Sequence, residues 1–137
     1  MNTSKTIVAG VAATAVMSVV AMFVAPMMGM PKMDFGHMLG TGNPMMAMPY
    51  AAGWMIHFVV GIVMALVFAA VVRGRLPGNS IVQGVLYALV IFLMAQLLVM
   101  PMMGNGVFSG GNMQLIMGSL IGHVVFGAVL GAVVGKS

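Results

Sequence analysis

Four long stretches of apolar residues dominate this chain, and each is long enough to cross a membrane. They cover residues 5–26, 51–72, 80–100 and 113–135. About 20 residues at about 1.5 Å rise per residue span the roughly 30 Å hydrocarbon core of a bilayer. A helix satisfies its own backbone hydrogen bonds, which an isolated strand in lipid cannot do. The sequence therefore predicts four transmembrane helices, with their ends marked by Pro26, Pro49, Pro77 and Pro101.

Ionisable residues are too few for a soluble domain. Five Lys or Arg residues and one acidic residue, Asp34, occur among 137 residues, whereas soluble domains carry about 25% charged residues. A single carboxylate argues against paired-carboxylate catalysis and Ser-His-Asp hydrolysis. The lack of cysteine excludes disulfides, thiolate ligands and Fe–S clusters. The few basic residues form no patch for nucleic acid. We therefore predict a protein embedded in lipid, without nucleic-acid binding and without independent catalysis.

The basic residues predict how the helices are oriented. With four spans, one side of the membrane holds Lys5, Arg73, Arg75 and Lys136, and the loops on the other side hold one Lys and one Asp, which cancel. The positive-inside rule makes the basic side cytoplasmic. Both termini are then cytoplasmic, in a bacterial cytoplasmic membrane. The first apolar run is longer than the roughly 7–15 residues of a cleavable signal core, so we predict a permanent helix there.

An internal repeat organises the chain. Residues 53–69 align with residues 119–135 at an offset of 66, and residues 7–16 align with residues 81–90 at an offset of 74. Both copies run in the same direction, which predicts parallel repeats related by an axis along the membrane normal. The fold class is then all-α: a polytopic four-helix bundle, and a single membrane domain over 1–137, built from two-helix repeats 5–72 and 79–137.

Two histidines occupy matched positions in this repeat. His57 aligns with His123, and Gly61 aligns with Gly127. An imidazole inside a membrane span is costly and indicates function by default. Each glycine follows its histidine at i+4, shares its helix face, and favours close packing with another helix. The pattern predicts a paired-histidine site in the outer half of the bilayer, with the two rings at similar depth about the axis.

The chemistry of this site has several interpretations. In one, the histidines only pack and form hydrogen bonds, with Gln96 as partner on the third helix, or Thr14 and Ser18 on the first. In another, the two imidazoles bind the iron of a b-type haem from both sides, and Gly61 and Gly127 leave room for the macrocycle. A proton relay or contact with a quinone is a third interpretation.

Copper is a further interpretation, because the chain contains 19 methionines, many of them in the predicted outer loops. Thioethers and imidazoles both suit the soft ion Cu(I). The candidate ligands are His57, His123, Met28 and Met103. Methionine is also an adaptable apolar filler, so packing alone accounts equally well for this abundance.

Three segments carry a resemblance to a known family. APMMGMPKMDFGHMLG, GWMIHFVVGIVMALVFA and GSLIGHVVFGAVLGAV resemble a family of small bacterial integral membrane proteins of unknown function. The resemblance covers nearly the whole chain, and its Pro-Met-Met-Gly and Gly-x-x-x-His elements are fairly specific. It implies a four-helix prokaryotic membrane protein and brings no activity, substrate or cofactor.

The sequence thus predicts an accessory or interaction subunit of a membrane complex. Its expected partners are the lipid bilayer and either other membrane subunits or further copies of itself, because glycine-rich helices make good lateral contact surfaces. The alternative is a membrane protein that binds b-type haem or Cu(I), in electron transfer or copper handling. Whether the connection over residues 27–50 is ordered stays open at this point.

Overall fold

The computed structural model describes residues 1–135, and this part of the chain is all-helical. It contains four long helices: α1 Thr3–Met27, α2 Tyr50–Val72, α3 Ser80–Met102 and α4 Met113–Val134. Each is long and apolar enough to span a membrane, which confirms the prediction of a multi-pass membrane protein with four spans. The observed bounds lie within two residues of the predicted ones. Lys136, one of the residues used to predict the orientation, lies outside the described residues.

Asparagine side chains begin three of the four helices. Asn2 accepts a hydrogen bond from the Lys5 amide, Asn79 from the Val82 amide, and Asn112 from two amides of the first turn of α4. These bonds satisfy amides that have no partner within the helix. The remaining helix, α2, has no side-chain cap and follows Pro49, whose backbone is extended. Three helices therefore have neutral polar N-caps, in a chain that has almost no charged residues to serve there.

The helices pack in the order α2, α1, α4, α3. α1 contacts both α2 and α4, and α3 packs along α4. Glycines bring the backbones together in two of these contacts. Gly10 on α1 lies against Gly61 and Ala65 of α2, and a side chain on Gly84 of α3 would overlap the Gly127 carbonyl oxygen of α4. These two contacts involve the positions that the predicted repeat makes equivalent.

α2 and α3 meet at one end only. The Phe68 and Tyr87 rings lie 5.4 Å apart, and the Tyr87 hydroxyl donates a hydrogen bond to the Met64 carbonyl at 2.9 Å. Beyond this end the two helices are separated. In a two-fold repeat the α3–α2 pair would match the closely packed α1–α4 pair, so this separation departs from the symmetric bundle that the repeat alone would produce.

The connection between α1 and α2 occupies part of the space beside the separated helices. It folds back onto α2, where Gly36 and Gly40 contact Gly53. Asp34 accepts hydrogen bonds from the amide of Gly36 and from the Tyr50 hydroxyl, at 3.1 and 3.0 Å. Two side chains of the connection, Met33 and Phe35, lie in the space between the helices. The segment over residues 27–50, whose order could not be predicted, therefore belongs to the packed structure.

Candidate functional site: a cavity with two histidines

A cavity of about 340 Å³ lies in the distal half of the bundle, the half farthest from the N-terminus. All four helices and the α1–α2 connection line it, and nearly all of its surface is apolar. Its rim lies between α2 and α3, where the lining side chains Val60, Met94 and Leu98 are 47–57% exposed. The separation of these two helices is thus the side opening of the cavity.

His57 lies at the α1 side of this cavity and is held on three sides. Its Nε2 lies 3.2 Å from the Ser18 hydroxyl of α1. Phe35, from the connection, stacks on the imidazole with centroids 3.9 Å apart and planes 10° apart. Trp54 packs edge-on at 5.8 Å. These contacts fix the orientation of the ring.

His123 lies on α4 and lines the same cavity. Its Nδ1 lies 2.7 Å from the Ser119 carbonyl oxygen, one turn back on the same helix. Phe92 of α3 packs edge-on against the ring at 5.8 Å. The ring is therefore fixed by its own helix, whereas His57 is bonded to a neighbouring helix.

Both histidines belong to segments that pack beside the same part of α1. His57 contacts Ser18. Gly122, the neighbour of His123, faces the Met17 side chain, and a Cβ added at Gly122 would lie 3.5 Å from the Met17 methyl carbon. Met17 and Ser18 are consecutive residues of α1, so His57 and the neighbour of His123 adjoin the same turn of that helix.

The hydrogen bonds also determine which nitrogen of each ring carries the proton. The Ser18 hydroxyl lies 2.6 Å from the Thr14 carbonyl, to which it can only donate, so Ser18 must accept its other bond from His57 Nε2–H. The Ser119 carbonyl likewise accepts from His123 Nδ1–H. His57 Nδ1 and His123 Nε2 are then the unprotonated nitrogens, and each presents a lone pair.

These two nitrogens are not sealed inside the protein. Within residues 1–135, the fully buried side-chain nitrogen and oxygen atoms without a hydrogen-bond partner are Arg73 Nε and Gln96 Nε2. Neither free imidazole nitrogen belongs to this group, although both rings lie partly buried against the cavity. The cavity therefore offers two hydrogen-bond acceptors, or two imidazole ligands, in apolar surroundings.

Of three other predicted site residues, Gly61, Gly127 and Gln96, only Gly61 lines the cavity. Gly127 is buried in the backbone contact with Gly84, because α4 turns that face towards α3. Gln96 is 0% exposed and accepts a hydrogen bond from the Ser109 hydroxyl at 2.9 Å. It therefore ties the α3–α4 connection to α3 and is not the hydrogen-bond partner of either histidine.

The structure does not bring Met28 and Met103 to the histidines. Met28 is 64% exposed beyond the end of α1, and neither residue lines the cavity. Within the described residues, no three His, Cys, Asp or Glu side chains group as a metal site. Different methionines line the cavity, and no sequence signal separates them from the rest: Met17, Met33, Met38, Met64, Met94 and Met100.

Of the two side chains that contact the His57 ring most closely, Ser18 can be predicted from the sequence and Phe35 cannot. Ser18 was among the candidate partners, and the structure shows its hydrogen bond to His57. Phe35 carries no such signal, because it lies in the connection, where no periodicity indicates which side chains turn inward. The carbonyl of Ser119 was also unpredictable as a partner of His123, because every helical residue has such a group.

Comparison with known proteins adds a family but no activity. No curated protein and no solved structure matches the chain. The model of a family described as a family of unknown function, DUF6789, matches residues 1–136. This match covers the four helices and both histidines, and it agrees with the resemblance seen in the sequence. The chain therefore belongs to the DUF6789 family of unknown function.

Proposed function

We propose that this protein binds a lipid-soluble small molecule in the cavity between α2 and α3, with His57 and His123 as its polar contacts. The observation that carries the proposal is the meeting of both histidines at one cavity with a side opening. Ligand sites are typically apolar cavities of about 300–1,000 Å³ that hold a few placed polar groups. This cavity has that size and that composition.

The position of the opening supports a ligand that arrives from the bilayer. Its rim consists of apolar side chains of two helices that are long enough to span a membrane. No Lys, Arg, Asp or Glu occurs among the cavity-lining residues that the structure describes. A charged ligand would therefore lose its hydration without gaining an ionic partner, which is strongly unfavourable. A neutral, lipid-soluble molecule fits these surroundings best.

The basic residues suggest the leaflet that supplies the ligand. Lys5 at the start of α1 and Arg73 and Arg75 after α2 lie at the end of the bundle opposite the cavity. The positive-inside rule makes that end cytoplasmic. On this basis we place the cavity in the leaflet away from the cytoplasm. A bacterial cytoplasmic membrane is the setting that the sequence resemblance favours.

An accessory role in a membrane complex is compatible with this binding function. The lipid-facing surfaces of the four helices are free to contact other membrane subunits or a second copy of the chain. Such a protein would present or store a ligand for a catalytic partner without itself catalysing a reaction. Chains that co-purify with the intact protein from its native membrane would identify that partner.

A Cu(I) ion is a second candidate ligand, favoured by the six methionines that line the cavity beside the two histidines. Copper measured by elemental analysis at one ion per purified chain would support it. A b-type haem is less well supported. No Lys or Arg occurs among the described residues that line the cavity, so the propionates of a haem would have no basic partner there.

Trp54 allows the binding function to be tested directly. It is the one tryptophan in the chain, and it packs against both His57 and Phe35. Titrating the intact protein in detergent with 4-bromoanisole, a neutral bromine-containing quencher, should give saturable quenching of Trp54 fluorescence. Excess unbrominated anisole should restore the fluorescence. Quenching that rises linearly, and that anisole does not reverse, would contradict the proposal.

A further inference from the structure

The polar groups that line the cavity offer a ligand more hydrogen-bond acceptors than donors. His57 Nδ1 and His123 Nε2 can only accept, because the proton of each ring is already donated to Ser18 or to the Ser119 carbonyl. The Thr14 hydroxyl, which also lines the cavity, donates to the Gly10 carbonyl at 2.7 Å. Its proton is therefore also unavailable to a ligand.

The Ser119 hydroxyl is the one lining hydroxyl, among the described residues, whose proton has no assigned acceptor. Its position makes it a poor donor to a ligand in the cavity. The Ser119 hydroxyl lies 3.4 Å from His123 Nδ1, which is the nitrogen that carries the ring proton. It is therefore beside the bonded edge of the imidazole and away from the free Nε2. Ser119 is also almost fully buried. The accessible polar atoms of the two rings are acceptors, so a complementary ligand must bring the hydrogen.

The apolar lining indicates the shape of the ligand. Phe35 and Phe126 line the cavity together with several methionines. Thioether sulfurs make favourable contacts with aromatic rings, and aromatic pairs favour stacked or edge-to-face arrangements. A flat aromatic head with an O–H group would satisfy both the lining and the imidazole acceptors. An apolar tail could leave through the opening between α2 and α3.

Building on the proposed function, we infer that the cavity recognises a lipid-soluble hydroxylated aromatic compound, of the phenol or hydroquinone class, by hydrogen bonds from its O–H groups to the two imidazoles. The corresponding quinone has carbonyl oxygens, which also only accept. Placing an acceptor against an acceptor leaves both buried groups without a bond, which is costly. Sites built around a hydroxyl discriminate strongly against analogues that lack it. The cavity therefore favours the reduced, hydroxylated form over the quinone.

A matched pair of quenchers tests this inference with the intact chain. 4-Bromophenol and 4-bromoanisole differ in the hydroxyl hydrogen that the methyl group replaces. We expect Trp54 quenching to saturate at a concentration of 4-bromophenol about tenfold or more below that of 4-bromoanisole, because one buried hydrogen bond can shift affinity by about that factor. Tetramethylhydroquinone should likewise displace bound 4-bromoanisole more effectively than tetramethylquinone.

Histidine variants show whether the imidazoles cause the preference. His57→Phe together with His123→Phe keeps two aromatic rings and removes both acceptors, so the ratio of the two affinities should fall close to one. Continued saturable binding of 4-bromoanisole by this variant shows that the cavity is still formed. His37→Phe is the control, because His37 lies on the connection, is exposed, bonds to Thr41 and does not line the cavity. It should keep the wild-type ratio.

The outcomes separate this inference from the proposed function. Saturable binding of both quenchers with equal affinity would overturn the preference for a hydroxyl and leave the binding function intact. An unchanged ratio in the double histidine variant, with 4-bromoanisole still bound, would also overturn the inference. If neither compound gives saturable quenching in the wild-type protein, both the inference and the proposed function fail.

Discussion

Gly127→Ala is expected to disrupt the packing of α3 on α4 and to cause a large loss of stability. A Cβ at position 127 would overlap the Gly84 carbonyl and would lie 2.6 Å from the Ala88 Cβ. Because one of these neighbours is backbone, it cannot rotate away. Overpacking typically costs about 1–3 kcal/mol, and we expect a loss near the upper end of that range. Thermal unfolding in detergent, followed by circular dichroism, measures the loss.

Gly118→Ala on the same helix is the matched control. A Cβ at position 118 would meet only Met30 atoms, at 3.8 and 3.9 Å, which is ordinary contact. Alanine also favours a helix over glycine by about 1 kcal/mol, so this variant should be as stable as the wild type or slightly more stable. Equal unfolding temperatures for Gly118→Ala and Gly127→Ala would show that α3 and α4 do not meet through these backbones.

Ala95→Phe is expected to abolish the saturable quenching of Trp54 by 4-bromoanisole, or to weaken the binding about tenfold or more. Ala95 lies on α3 and lines the cavity. A phenyl group at this position would occupy much of the space in which the ligand binds. The cavity can accept the added volume, so the four helices should still form, and the circular dichroism spectrum should stay that of the wild type.

Val90→Phe provides the comparison for this loss. Val90 is also on α3, is exposed, and does not line the cavity, so the added ring should extend away from the protein. Binding of 4-bromoanisole should then match the wild type. If both variants bind equally well, the quencher occupies some other place near Trp54, and the cavity between α2 and α3 is not the binding site.

The four helices could be predicted from the sequence because the bilayer leaves few alternatives. About 20 apolar residues without charge must form a helix to satisfy the backbone, and this rule does not depend on knowing the neighbours of each residue. The close contacts of Gly61 and Gly127 follow from the same kind of argument, since small residues at i+4 spacing allow helices to approach. The spacing alone does not predict that Gly61 packs against α1 and Gly127 against α3.

The cavity could not be predicted, because part of its lining comes from the α1–α2 connection, where no periodicity indicates which side chains turn inward. The alignment of His57 with His123 predicts equal depth, but it also predicts a symmetric bundle. In the structure, Phe35 and Met33 of the longer connection line the cavity, and α2 contacts α3 at one end only. Gln96 illustrates the same limit. Its depth was compatible with the histidines, but a hydroxyl in the α3–α4 connection, Ser109, takes the bond to its carbonyl oxygen.

We propose above that one ligand bound between α2 and α3 touches both membrane-embedded imidazoles. The most direct measurement is a nuclear Overhauser spectrum of the intact, histidine-labelled protein in deuterated detergent with 4-bromoanisole bound. We predict cross-peaks from the ligand to the ring protons of both His57 and His123, with none to His37, which serves as an internal control. Cross-peaks to only one of the two rings, or equally to all three histidines, would contradict the claim.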